Sequence, residues 1–393
     1  MTAAKPAALF CDDRYDRRKV LYHPRAIADL LETGDTWPVT VNTGFTTYCN
    51  HSCAWCSTAY TTRVDPSLKE RNKLIIDPDL WIETARTLAA NGTSGLIIAG
   101  QGEPLLHPKA AEMLETAADL GLRNMIFSNG ERLGARFHDA MFAATIAVRF
   151  SVDAATADLH ERWHAAENAS GRGHANWERV LGNIAALAEE KRRRGLTLPH
   201  IGCQMIASSL TEPDFEAFAR LFREVGVDYV VYKSLQGNPA NFDISLSARD
   251  LHQDETARAE QARTMLATLT DIQQRYDSED FRVHVKVDQI EQAYVHATNA
   301  ASRYPRCRAH PLTPMIEPDG NVYLCVDHGG DPDFVIGNIY DDPIERIWIS
   351  ERRRQVIERI DLNRCPAGCF LDQTNLILHQ LAEPAPELHH SLI

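Results

Sequence analysis

Long apolar runs are absent from this sequence. No stretch of its 393 residues approaches the roughly 18 consecutive apolar positions that a membrane-crossing helix needs. The first residues, MTAAKPAALFCDDRYDRRK, carry too many charges and too short an apolar run for a secretory signal, so the cytoplasm is the expected location. A basic excess is absent too: Lys and Arg number 41 against 54 Asp and Glu, a net charge of −13. The two dense basic clusters, Lys191–Arg194 and Arg352–Arg354, fall in helical patterns without interleaved aromatics. They read as solvated helix faces, which excludes an extended nucleic-acid surface. Internal repeats and low-complexity tracts are missing as well. What remains is a globular composition, with material for one large α/β domain and a smaller appendage.

Nine cysteines stand out against that background, and without a secretory signal they point to metal or redox chemistry rather than disulfides. Cys49, Cys53 and Cys56 form a C-x3-C-x2-C clip directly after the strand-like stretch 39–46. Three thiolates on one short loop hold three corners of a cubic [4Fe–4S] cluster and leave the fourth iron open, whereas closed clusters and structural zinc sites take four ligands. An open iron implies a substrate or cofactor as its ligand. Zinc or incidental thiols are the alternative, although only His51, inside the loop itself, is at hand as a fourth ligand. Cys307, Cys325, Cys365 and Cys369 form a second set. Gly320-x4-Cys325 and Cys365-x3-Cys369 read as turn-closing clips whose four thiolates fully ligate one further cluster, or a zinc ion. Cys11 has no partner pattern. Cys203 lies mid-strand between Gly202 and Gln204, so an inward Gln204 turns Cys203 outward into helix packing; the alternative is a hydrogen-atom donor to a substrate radical. His389 and His390, near the C-terminus, lack further ligands.

Between residues 39 and 234, short β-branched runs alternate with amphipathic segments. Strands are expected at 39–46, 94–100, 123–129, 147–153, 199–207 and 228–234, and helices near 78–91, 108–120, 131–143, 174–194 and 211–225. Six strand–helix units imply a parallel sheet with right-handed crossovers, curled into a partial (β/α)6 barrel. Chemistry in such sheets gathers at the carboxyl ends of the strands. The first cysteine clip, the Gly-rich segment 100–104, Ser128–Gly130, Ser151–Asp153 and Lys233 all fall there. The expected organisation is an N-terminal extension (1–36), the barrel (37–240), a linker helix and strand (241–303), a turn-rich Cys-bearing domain (304–370) and a tail (371–393).

These motifs resemble the radical S-adenosylmethionine (SAM) superfamily. Trp55 holds the aromatic position before the third cysteine of the clip. Gly100-Gln101-Gly102-Glu103-Pro104 is similar to the family's Gly-Gly-Glu-Pro segment, and MIFSNG and VRFSVD resemble its third and fourth strand ends. The run from Cys307 to Cys369 resembles the twitch domain, a shortened relative of the SPASM extension, with cysteines enough for one auxiliary cluster. The resemblance implies an α/β fold, a partial (β/α)6 radical SAM barrel with a C-terminal twitch-like Cys-rich domain. It implies two [4Fe–4S] clusters, one binding SAM and one auxiliary, and a flavodoxin- or ferredoxin-type reductant. SAM is then cleaved reductively to a 5′-deoxyadenosyl radical that abstracts a hydrogen atom. SAM contacts are implied at Trp55, Gly100, Gly102, Glu103, Ser128, Asn129 and Ser151, with the glycines allowing close backbone approach to the SAM amino group.

Asp153, Lys233 and Gln204, at strand ends, are the candidates for holding or deprotonating a polar substrate. Against this stand a solvent-exposed helix cap for Asp153 and a surface or SAM-contacting ammonium for Lys233. The 48 residues before the clip leave no room for a separate leader-binding domain, which favours a small polar substrate (a sugar, aminocyclitol or nucleotide-linked sugar) over a ribosomal peptide. An auxiliary cluster that accepts an electron makes dehydrogenation the expected outcome and epimerisation the next. A peptide-modifying enzyme and a non-catalytic iron–sulfur or zinc protein are the alternatives.

Overall fold

The computed structural model describes residues 17–53, 55–56, 74–164, 173–234, 254–296, 300–365, 369–385 and 387. Cys11, His389 and His390 lie outside the described residues. Six strands form where the β-branched runs predict them: β1 (Thr40–Thr43), β2 (Gly95–Ile98), β3 (Arg123–Ser128), β4 (Thr145–Ser151), β5 (His200–Ile206) and β6 (Tyr229–Lys233). They pair in parallel and in chain order. The helices between them are α2 (Pro78–Ala90), α3 (Ala110–Asp119), α4 (His138–Ala144), α5 (Ala157–Trp163), α6 (Gly173–Arg193) and α7 (Phe215–Val225), preceded by α1 (Pro24–Glu32) and followed by α8 (Glu255–Tyr276). Asp77 caps α2 by accepting from Leu80 N at 2.9 Å, and Thr156 caps α5 through Leu159 N at 3.3 Å.

Side-chain alternation divides the sheet into two faces. Leu96, Ile98, Ile126, Val148 and Phe150 are buried against the helices, while Ile97, Phe127, Arg149 and Ser151 are half-buried on the interior face. Cys203 is fully buried in the helix-facing core with Phe218 and Val230. It packs as a small hydrophobe and does not face the interior, which removes the hydrogen-donor alternative.

The C-terminal region joins the same sheet. β8 (Met315–Ile316) pairs in parallel with β1, and β9 (Asn321–Tyr323) and β10 (Val335–Asn338) follow antiparallel. Gly320 turns the β8–β9 hairpin at φ 83°, where an added Cβ would lie 2.3 Å from the Tyr340 ring. β7 (Arg282–Val285), expected in a linker, instead pairs in parallel with β6. The 22-residue α8 supplies the long crossover that parallel pairing requires. The ten strands form one open sheet. No helix among the described residues is long and apolar enough to cross a membrane.

Candidate functional site

The first cysteine clip leaves the carboxyl end of β1 and is seated by the loop that follows β2. A Cβ on Gly102 would lie 2.3 Å from Thr46 O and 2.5 Å from Tyr48 O, so only glycine lets the two loops touch. Glu103 N donates to Tyr48 O at 2.9 Å. The buried Glu103 carboxylate accepts from Ser128 Oγ (2.8 Å), Asn129 N (2.7 Å) and Leu105 N (3.1 Å). Burial pushes its pKa up to about 7 in spite of these donors. Asn129 continues the tie, its Nδ2 donating to Asn50 Oδ1 at 3.0 Å and to Cys49 Sγ at 3.8 Å. His51 N also donates to Cys49 Sγ, at 3.4 Å. Burial, with Glu103 nearby, pushes the Cys49 thiol up to about 12, so a metal is needed to hold it as thiolate. Three sulfurs on one loop, with N–H donors aimed at one of them, fit an iron–sulfur cluster.

Asp153 is not the solvent-exposed cap considered from sequence. It is 1% exposed and adopts φ 53°, and Thr156 caps α5 instead. Asp153 Oδ1 accepts from Ile206 N at 2.7 Å, and Oδ2 lies 3.0 Å from His164 Nε2. His164 Nδ1 in turn stands 3.1 Å from Cys53 Sγ. Asp153 thus reaches the clip through His164 rather than facing solvent. His160 stacks on His164 with ring centroids 5.0 Å apart, and His51 Nε2 lies 3.0 Å from Glu131 Oε2. Burial lowers the pKa of both His51 and His160, keeping these packed rings neutral. Trp55 stacks on Trp163 at 4.9 Å. His164 and Glu131 were not singled out from sequence, and the available signal was the His160-x3-His164 spacing, which puts both rings on one helix face.

Across the interior, Gln204 Nε2 donates to Ser151 Oγ at 3.0 Å, and Gln204 Oε1 is buried with no hydrogen-bond partner among the described residues. Lys233 ends β6, half-buried, and its ammonium makes no hydrogen bond or ion pair among the described residues. Burial and the Arg149 charge lower its pKa to about 8, against the opposing pull of Asp153 and Asp327. Arg149 and Asp327 are further members that sequence reading missed.

The second cysteine set converges as its spacing predicts. Cys307, Cys325, Cys365 and Cys369 line one cavity together with Tyr304 and His328. Asn375 Nδ2 donates to Cys307 Sγ at 3.5 Å and Leu371 N to Cys369 Sγ at 3.4 Å. His328 lies flat on Phe334, centroids 3.6 Å apart, with Nε2 3.7 Å from Cys365 Sγ. Four thiols around one cavity can hold either an iron–sulfur cluster or a zinc ion, the two readings the sequence leaves open.

Comparison with known proteins agrees with this geometry. Residues 43–222 match the radical SAM superfamily and residues 307–370 match SPASM, an iron-sulfur cluster-binding domain. Over 85 residues the chain is 34% identical to an S-adenosylmethionine-dependent nucleotide dehydratase of Lacinutrix mariniflava, a match spanning 22% of this chain and 17% of that relative. The fold is shared with Streptococcus suis SuiB bound to S-adenosylmethionine, at a TM-score of 0.63 and 14% identity over 94% of this chain and 80% of that one. SuiB bound to precursor peptide SuiA gives 0.64 at 15% identity, over 98% and 82% of the two chains. Native anSMEcpe with bound AdoMet gives 0.55 at 14% identity, over 82% and 83%. Through its two matched regions, the chain belongs to the radical SAM superfamily of enzymes that bind SAM and a [4Fe–4S] cluster, and it carries a SPASM domain for an auxiliary cluster.

Proposed function

We propose that this enzyme oxidises a small polar substrate held in the barrel, with Cys49, Cys53 and Cys56 ligating the SAM-binding cluster and Cys307, Cys325, Cys365 and Cys369 the auxiliary one. When bound, these groups supply an electron that cleaves SAM to a 5′-deoxyadenosyl radical, hydrogen-atom abstraction from the substrate, and an acceptor for the second electron. The chain's own residues bind, orient and exclude water. Trp55, Gly100, Gly102, Ser128, Asn129 and Ser151 border SAM, and Glu103 ties their loops together. Gln204 and Lys233 hold the substrate. Asp153 is a positioning residue that acts through His164.

One observation carries this reading. Asp327, two residues beyond Cys325, lies near enough to Lys233 to favour its charge. On this reading the substrate sits beside Lys233, between the auxiliary cysteine loop that carries Asp327 and the first clip, which Asp153 reaches through His164. The outward burial of Cys203 argues against epimerisation, which needs a hydrogen donor in the barrel.

The test is anaerobic assay of the reconstituted full chain with SAM and dithionite. Formation of 5′-deoxyadenosine is expected, and failure to cleave SAM with any reductant overturns the reading. Cys49→Ala, Cys53→Ala and Cys56→Ala should each abolish cleavage. With candidate sugars, nucleotides and peptides supplied, a product lighter by two hydrogens is expected. Unchanged mass would mark epimerisation, and loss of water would mark the reaction named for the Lacinutrix relative; either overturns oxidation.

A further inference from the structure

Asp153 is, among the described residues, the one non-glycine residue in the left-handed region, at φ 53°. A side chain with a Cβ disfavours that backbone, which persists only where the surroundings over-determine it. Here the turn after β4 sets Oδ1 on Ile206 N, at the end of β5, and Oδ2 beside His164 Nε2. Both side chains are buried. His164 caps the C-terminal end of α5, and Trp163 before it makes the stack on Trp55. The end of α5 is thereby fastened to the clip, with His164 Nδ1 3.1 Å from Cys53 Sγ. The ring is also held from its sides, stacked on His160 and edge-on to Trp55 at 6.2 Å. A carboxylate, an imidazole and a cysteine sulfur thus follow one another, each within hydrogen-bond reach of the next.

Cys49 is served differently, by the neutral donors His51 N at 3.4 Å and Asn129 Nδ2 at 3.8 Å. At Cys53 the group at hand is a ring backed by a carboxylate. A cysteine that ligates iron is a thiolate, so each nitrogen of His164 then faces an acceptor, Asp153 at Nε2 and Cys53 at Nδ1. Hydrogen bonds between ionised partners are about twice as strong as neutral ones, and the C-terminal end of a helix favours a cation. A donor at a cluster sulfur draws electron density from it and so favours the reduced state, which carries one more negative charge. We propose that His164, oriented by Asp153, donates Nδ1–H to the Cys53 sulfur and holds the reduction potential of the SAM-binding cluster above the value its three cysteines alone would give. Both are positioning residues. The inference rests on Cys49, Cys53 and Cys56 ligating that cluster, as proposed above, and is independent of which substrate is oxidised.

The test is a potentiometric titration of the anaerobically reconstituted full chain, with dithionite as reductant and electron paramagnetic resonance as readout. The SAM-binding cluster is recognised by the change in its reduced signal when SAM is added, and the auxiliary signal is the internal control. His164→Phe keeps a packed ring and removes the donor. Its SAM-responsive midpoint should fall by about 59 mV or more, a ten-fold loss in the equilibrium for one-electron reduction, while the auxiliary midpoint stays in place. His164→Asn puts an amide nitrogen where Nδ1 stood and should recover part of that fall. Asp153→Asn removes the charge behind the ring and should shift the midpoint in the same direction by less. Iron content reports that each variant loads, and if His164→Phe does not, Asp153→Asn decides by the same criterion. The inference is overturned if the SAM-responsive midpoint of loaded variants is unchanged or rises, or if both midpoints fall together. Loss of the cluster from all three variants would show a purely structural role and overturn it as well. If wild type gives no SAM-responsive signal, the cluster assignment itself fails, so the two failures are distinguishable.

Discussion

Glu103 is where three loops of the first cysteine site meet, and its environment makes its removal costly. Replacing it with Ala leaves Ser128 Oγ, Asn129 N and Leu105 N buried without their acceptor. Glu103→Ala should therefore destabilise the protein by about 2–4 kcal/mol, read as a lowered melting temperature. Its raised pKa has a definite sign. Between the ordinary carboxylate value and about 7, the folded state holds a proton that the unfolded chain has lost. This contribution therefore falls as pH rises through that window and is flat above it. Glu103 is legible in the sequence through the resemblance of Gly100–Pro104 to the family's Gly-Gly-Glu-Pro segment, which implies a SAM contact; two of its three donors lie at the carboxyl end of β3, which no local pattern sets beside it. Asp153 was only half legible. Its place at the end of β4 followed from the pattern, but its partner His164 arrives from α5, and no local spacing reveals that a strand-end carboxylate turns to meet it.

At the scale of elements, the parallel strands are readable because β-branched runs bounded by turn residues alternate with amphipathic segments. The seven-residue α5 escaped, since ADLHERW is too short and too polar for periodicity to show. The sequence pattern gives β7 as a strand but leaves it in the linker, because its pairing with β6 across α8 is a non-local choice. Loop contacts were the least visible. The glycines of segment 100–104 were assigned to approach of SAM, yet Gly102 is also required for contact between the β2 loop and the cysteine clip. Gly102→Ala would force the loops apart by placing a Cβ 2.3 Å from Thr46 O. The variant should lose the SAM-binding cluster while keeping the auxiliary one, which iron analysis would show as a fall from about eight to about four irons per chain. An unchanged iron content would mean that the clip does not depend on that contact.

Over the whole molecule, the described part of the N-terminal extension packs against the auxiliary cysteine region. Val20 and Leu30 share a buried cluster with Cys325, Cys369 and Leu371, covering the second cysteine set. The chain before β1 is fastened by an ion pair that only the fold brings together. Arg353, on α9 (Glu351–Glu358), is 2% exposed, with Nη1 donating to Asp35 at 2.6 Å and its guanidinium 4.0 Å over the Trp348 ring. Trp348 Nε1 donates to Thr36 O at 3.1 Å, adding a second fastening beside the first. Partial burial alone would raise the Asp35 pKa, but the Arg353 guanidinium holds it below the ordinary value. The pair's contribution is therefore present above the unfolded carboxylate pKa and is lost as pH falls through the folded one. The two partners are unequal, because Asp35 is 43% exposed on its side chain while Arg353 is 2%. Asp35→Ala strands a buried guanidinium and should cost about 2–3 kcal/mol, the lower end for a buried pair because Asp35 is partly solvated. Arg353→Met leaves a carboxylate that water can reach and keeps the packing on Trp348, so it should cost less than half as much. If the N-terminal segment shields the auxiliary site, Asp35→Ala should also release auxiliary iron to a chelator several-fold faster than wild type, with the SAM-binding cluster unaffected. Equal release from both clusters would show general unfolding instead, and the shielding role would be wrong.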